Sequence, residues 1–128
     1  MRSRPTVVAT ALVVLTFTAS AAWAHAKLLR AAPAAGSVLI HPPAVVRLWF
    51  SDELDVRRSA LSVWNARGQR IDNGRGGVDL ADLDRKTMKA ALKPMTSGRY
   101  RVRWRAVSAD DLFVSSGSFA FVVRATPK

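Results

Sequence analysis

A stretch of seven residues near the C-terminus restricts the fold more than any other part of the chain. From Arg99 to Arg105 apolar and basic residues alternate without a break. Tyr100, Val102 and Trp104 share one parity with Ala106, and Arg99, Arg101, Arg103 and Arg105 share the other. A helix would spread these guanidiniums around its circumference. Only a strand, whose successive side chains point to opposite faces, separates them cleanly. The segment must therefore lay one face on a core and the other in water, as antiparallel sheets do.

Other segments carry the same period. In Ala44 to Phe50, Val46, Leu48 and Phe50 oppose Val45, Arg47 and Trp49. Ser59 to Asn65 places Leu61 and Val63 on one side, and Phe119, Phe121 and Val123 mark a final strand. Thr87 to Leu92 reads as a further strand, and Arg70-Ile71 begins a return strand after a turn at Ala66-Arg67-Gly68-Gln69. His41-Pro42-Pro43, Asp72 to Gly77 and Pro94 to Gly98 are breakers. Asp79 to Arg85 reads as a short helical turn, Ala31 to Gly36 as an extended lead-in, and Ser108 to Ser118 as the loop joining the last two strands. About seven short strands without a long helix indicate an all-β Greek-key β-sandwich or barrel.

The first 24 residues do not belong to that domain. Met1 to Pro5 contains two arginines and no acid, Thr6 to Ala24 contains no charge, and Ala22-Trp23-Ala24 fits a small-x-small cleavage rule. This is the pattern of a secretory signal peptide of the general secretory route. Cleavage would leave residues 25–128 as one domain beginning with His25, while an uncleaved membrane anchor is the competing reading.

The chain of 128 residues has room for one core, and it contains no cysteine. Disulfides, zinc thiolates, iron–sulfur clusters and a cysteine nucleophile are excluded together. The net charge is +11, of which Arg2 and Arg4 belong to the leader, leaving +9 on the domain. Such a balance suits anionic surfaces, but no basic run or nucleic-acid motif is present and no nucleic-acid partner is expected. The arginine row at 99–105 reads as the wet face of a sheet, with anion binding as the alternative.

A set of segments carries a resemblance. His25-Ala26-Lys27-Leu28 is followed by Ala32-Pro33-Ala34-Ala35-Gly36-Ser37 and Val46-Arg47-Leu48-Trp49-Phe50-Ser51. Then come Gly98 to Arg105, Val107-Ser108-Ala109-Asp110 and Gly117-Ser118-Phe119-Ala120-Phe121. In this order and spacing they resemble the CopC family of periplasmic copper-resistance proteins. The resemblance implies an immunoglobulin-like barrel and a Cu(II) site built from the α-amine and imidazole of an N-terminal histidine. An aspartate and a second histidine from the loop before the last strand complete that site. His25 and Asp110 match, but Leu112 stands where the family has its second histidine, and the loop is one residue longer. The resemblance further implies a monomeric periplasmic protein of copper homeostasis and an inner-membrane CopD-like copper transporter as partner. Nothing supports the family's Met-rich Cu(I) site, since the domain has only Met88 and Met95.

The candidate metal ligands are thus His25, Asp110 and Asp111. Cu(II) favours nitrogen and oxygen donors in a tetragonal plane, and an N-terminal histidine offers two nitrogens in one chelate. An ordinary α-amine, with pKa about 7.7–8.0, gives up its proton to a metal readily near neutrality. Asp110 would add an anionic oxygen or else brace the loop, and Asp111 is a substitute donor if the loop bends. His41, ahead of two prolines, reads as a solvated loop residue. Asp79, Asp82 and Asp84 lack the spacing of a calcium loop. There is no G-x-S-x-G elbow, and a copper oxidase would need a second imidazole that only His41 could supply. The expectation is a non-catalytic Cu(II) carrier or buffer with an altered site. The alternative is a CopC-like interaction module that has lost copper and docks on a membrane partner.

Overall fold

In the computed structural model the described residues are Ser3, Pro5 and 25–125. Apart from Ser3 and Pro5, the predicted signal sequence lies outside them, and so does Ala24 at its cleavage point. The element the alternation singled out is the spine of the domain. Strand β7 (Gly98–Val107) pairs antiparallel along its whole length with β8 (Val114–Val123), from Gly98 opposite Val123 to Val107 opposite Val114. On its other side β7 pairs with β4 (Ala60–Asn65), Trp64 lying opposite Arg101. The two-residue strand β2 (Val38–Leu39) joins β8 in parallel, giving a sheet ordered β2-β8-β7-β4.

The second sheet runs β1-β3-β6-β5, from β1 (Leu28–Ala32), β3 (Val45–Phe50), β6 (Thr87–Ala91) and β5 (Gly77–Val78). The two four-stranded sheets form an all-β sandwich, and the described residues contain no helix. Val46, Leu48 and Phe50 point inward from β3, Leu61 and Val63 from β4, Met88 and Ala90 from β6. Tyr100, Val102, Ala106, Phe121 and Val123 close the core from β7 and β8. The parities read from the sequence are the ones that are buried. Tyr100 also turns its hydroxyl back to donate to the Thr96 carbonyl, tying the turn before β7 to the strand in the manner of a tyrosine corner.

Four readings need correction. The loop ahead of the last strand is only residues 108–113, because the polar run Ser115 to Ser118 continues β8 and supplies edge groups rather than a loop. The lead-in at Ala31 to Gly36 begins inside a true strand, β1, which runs from Leu28 and was disguised by its small residues Ala31-Ala32. Arg70-Ile71 makes only a single bridge, Trp64 to Arg70, and not a strand. Asp79 to Arg85 forms two successive turns capped by Asp79 and Asp82, which accept from the backbone of Ala81 and Asp84. Side-chain capping of each turn competes with helix propagation.

One glycine joins the sheets. Gly76 accepts the Leu61 N–H at 3.3 Å, and a Cβ on it would stand 2.1 Å from Leu61 O. That contact is with backbone and cannot be relieved by a rotamer change. Gly76→Ala is expected to cost about 3 kcal/mol, the upper range for overpacking. Urea unfolding of the variant measures this, and a midpoint equal to that of the parent would show that the crossing of β4 and the segment before β5 is not tight.

Candidate metal centre

His25 is not a loose end in the folded domain. Next to it Ala26 is buried, and its carbonyl accepts the Ser115 hydroxyl at 2.7 Å. Lys27 extends the β1–β3 pairing beyond its last ladder pair. Ser51 N donates to Lys27 O at 2.9 Å, and Lys27 N donates to Ser51 Oγ at 2.9 Å. Ser51 Oγ also stands 3.2 Å from His25 O and 3.3 Å from Asp52 Oδ2, so its single proton goes to one or the other. Two serine hydroxyls, one from the end of β3 and one from the start of β8, thus hold the backbone of residues 25–27 across the mouth of the sandwich.

The imidazole of His25 then lies on the loop between β7 and β8. Its ring centroid is 3.5 Å from that of Phe113, with the planes tilted by 47°. The loop is sharply bent. Leu112 N donates to Ser108 O, and Ser108 N donates to Phe113 O, both at 3.0 Å. Leu112 occupies the left-handed region with φ 58°. Ala109 N donates to Glu53 O at 2.9 Å, and Leu54 bridges Ser108, which anchors the loop to the segment after β3.

The bend that Asp111 would need is present, but its carboxylate accepts the Phe113 N–H of the loop at 3.0 Å. The bracing role considered for Asp110 therefore falls to Asp111. The Asp110 carboxylate is exposed and makes no hydrogen bond or ion pair among the described residues. Among those residues no three His, Asp or Glu side chains stand close enough together to hold an ion. The structure brings His25 to the loop that carries Asp110 and Asp111 but does not gather the three side chains into a closed set. His41 is exposed on the bend before β3, and Met88 is fully buried in the core.

The local charge differs from that of the whole domain. Asp52, Glu53, Asp110 and Asp111, four of nine acidic residues in the chain, sit on the two segments that meet at this mouth. These four carboxylates stand beside His25 on a protein that is otherwise strongly basic. Sequence reading missed Ser51, Ser115 and Phe113, which position the histidine. A serine at a strand end is the kind of residue that substitutes for a backbone partner, but nothing in the sequence says which backbone it will meet.

The comparisons with known proteins fit this geometry. The CopC domain profile matches residues 28–124. The copper resistance protein C of Pseudomonas syringae pv. tomato is 35% identical over 107 residues, covering 80% of this chain and 83% of that protein. The copper transport protein CutJ of Bacillus subtilis (strain 168) is 29% identical over 99 residues, covering 77% of this chain, which spans only 18% of that longer protein. Among solved structures, the crystal structure of CopC from Methylosinus trichosporium OB3b superposes with a TM-score of 0.72 at 21% identity, covering 81% of this chain and 98% of that one. The profile runs from the first residue of β1 to just beyond β8, well over half of the chain, so the chain belongs to the CopC domain family.

Proposed function

We propose that this protein is a periplasmic Cu(II)-binding protein of copper homeostasis and resistance, a carrier or buffer rather than an enzyme, with a site altered at position 112. One observation carries the reading: residues 25–27 are fixed across the mouth of the sandwich, so that His25 lies on the loop bearing Asp110. A disordered N-terminus would have to be ordered at an entropic cost before it could chelate. Here that cost has already been met by folding. The relatives, a copper resistance protein and a copper transport protein, support the same class of cargo.

The donors fit Cu(II) in kind. Removal of residues 1–24 would give His25 an α-amine beside its imidazole, and the exposed Asp110 carboxylate would supply an anionic oxygen. Asp111 serves mainly to hold the bend. Leu112 contributes no donor, which leaves the coordination plane for water or an exogenous ligand to complete and makes the site weaker than one with two imidazoles. A CopD-like membrane transporter is the partner this cargo calls for.

The N-terminal amine decides the test. Protein beginning at His25 is expected to bind one Cu(II), and a copy with one extra residue ahead of His25 is expected to lose roughly 100-fold or more in affinity, about 2.8 kcal/mol. Titration against a competing chelator measures both. Equal, weak binding by the two proteins would remove the amine-plus-imidazole site. It would favour the copper-free interaction module, whose supporting observation is the exposed apolar run Leu112, Phe113 and Val114, each more than 40% exposed.

A further inference from the structure

The opposite end of the β2-β8-β7-β4 sheet carries a feature that copper binding does not use. On the outer face, at the start of β7, lies a concavity of about 430 Å³ lined by Trp64, Arg99, Arg101 and Arg103 with the 65–68 turn as its rim. A second hollow of about 330 Å³ adjoins it, sharing Arg99 and adding Arg67. Among the described residues no carboxylate lines either hollow. The arginine row is therefore not only a wetted sheet face, as its pattern alone suggests, but the wall of a groove.

The groove is built rather than incidental. Outward residues of one strand recur every 6.6–6.8 Å, approximately, so three guanidiniums stand in file along β7. Trp64 projects from β4 beside them, and its indole N–H donates to Ser62 Oγ at 2.8 Å, which fixes the ring. Arg103 lies over that ring at 5.5 Å, and Arg70, from beyond the turn, lies at 6.0 Å. Arg101 donates to Ser118 Oγ at 3.2 Å. Among the described residues, of these guanidiniums only Arg70 has an acidic partner, Asp72. Like charges in file repel one another, and an anion in the groove relieves that repulsion. Guanidinium forks match the oxygens of phosphate and carboxylate, and several forks from different directions suit the tetrahedral phosphate better than the two coplanar oxygens of a carboxylate.

We propose that this groove is a binding site for a phosphate-bearing anion, either a soluble phosphate or the phosphodiester headgroup of an anionic lipid. It stands roughly 23 Å along β7 from the His25 mouth, taking about 3.3 Å per residue from Arg101 to Ser108, so both ends can be occupied together. A protein bound to a membrane through this face would keep its metal-receiving mouth in solution.

The test uses the exported protein, inorganic pyrophosphate as probe, and vesicles of phosphatidylglycerol or of phosphatidylcholine. Calorimetry is expected to show pyrophosphate binding that weakens with salt and is lost roughly tenfold in the R101Q/R103Q variant. The charge-matched R57Q/K86Q variant, altered far from the groove, is expected to bind within about twofold of the parent; urea unfolding of both variants checks that each is folded. Sedimentation with phosphatidylglycerol but not phosphatidylcholine vesicles, reversed by pyrophosphate, would assign the site to lipid headgroups. Pyrophosphate binding without sedimentation would assign it to soluble phosphate. Absence of pyrophosphate binding by the parent, or equal losses in the two charge-matched variants, would overturn the proposal.

Discussion

Replacing Leu112 with histidine is expected to raise Cu(II) affinity roughly 100-fold, about 2.8 kcal/mol. The substitution adds a second imidazole nitrogen to a loop whose start and end are already fixed. Ser108 is tied to Phe113 and Leu112 by backbone bonds, Ala109 to Glu53, and Phe113 lies against His25. The new donor therefore enters a preformed bend, and little ordering entropy offsets the gained coordination.

The backbone favours the exchange as well. Leu112 has φ 58°, in the left-handed region that leucine visits rarely and histidine several-fold more often. Its side chain is 45% exposed, so the loss of apolar burial is small. Leu112→His is expected to leave the thermal midpoint unchanged or slightly raised while affinity climbs. Competition titration and a thermal melt on the same sample check the two halves. A stable variant with no gain in affinity would mean that His25 and Asp110 are not poised around a common point, and the interaction-module reading would take precedence.

The sandwich was legible in the sequence because burial on one face imposes a period of two, and β3, β4, β7 and β8 each carry that period in large residues. It was not legible where the period is carried by small or polar ones. β1 runs through Ala31 and Ala32, and the first half of β8 reads Ser115-Ser116-Gly117-Ser118, which composition alone assigns to a loop. Gly117 is there because it lies opposite Trp104: a Cβ would stand 2.6 Å from Trp104 Cζ2. That is a tertiary constraint with no local signature.

The candidate centre was legible in part. His25, Asp110 and Asp111 were named from position and resemblance, and the fold does bring their two segments to one mouth. The division of labour between the two aspartates was not readable, because it depends on which carboxylate meets the Phe113 N–H after the loop bends. The groove on the other face was visible only as an alternating row. Its concavity comes from the register that sets Trp64 opposite Arg101 and from the 65–69 turn that rises beside them, neither of which a single strand's sequence encodes.

A stability effect as large as that of Gly76→Ala is expected at Asp72, a residue with no part in the copper reading. Its side chain is completely shielded from solvent, and it serves three partners. Oδ2 accepts the Val63 N–H at 2.8 Å, Oδ1 accepts the Gly74 N–H at 2.8 Å, and the Arg70 guanidinium binds both oxygens at 2.9 Å. The carboxylate thus fastens the segment after the 65–69 turn to the edge of β4. Asp72→Asn replaces one accepting oxygen with a donor, which then faces a buried N–H or the guanidinium. The expected cost is about 3 kcal/mol at pH 7, in the range for breaking a buried charge-assisted network. Burial by itself would raise the pKa of Asp72, but the Arg70 hydrogen bond and the Val63 and Gly74 N–H groups outweigh it and hold the value below the ordinary 3.8. A carboxylate with a depressed folded pKa contributes stability that is complete above its unfolded pKa and disappears as pH falls through the folded one. The difference between parent and Asp72→Asn should therefore be constant from pH 7 down to about 5 and begin to close below about pH 4, because the protonated acid then resembles the amide. Urea unfolding of both proteins at pH 7, 5 and 3 measures this. A gap that stays the same at pH 3, or one below about 0.5 kcal/mol at pH 7, would show that the carboxylate's charge is not what fastens this edge of the sandwich.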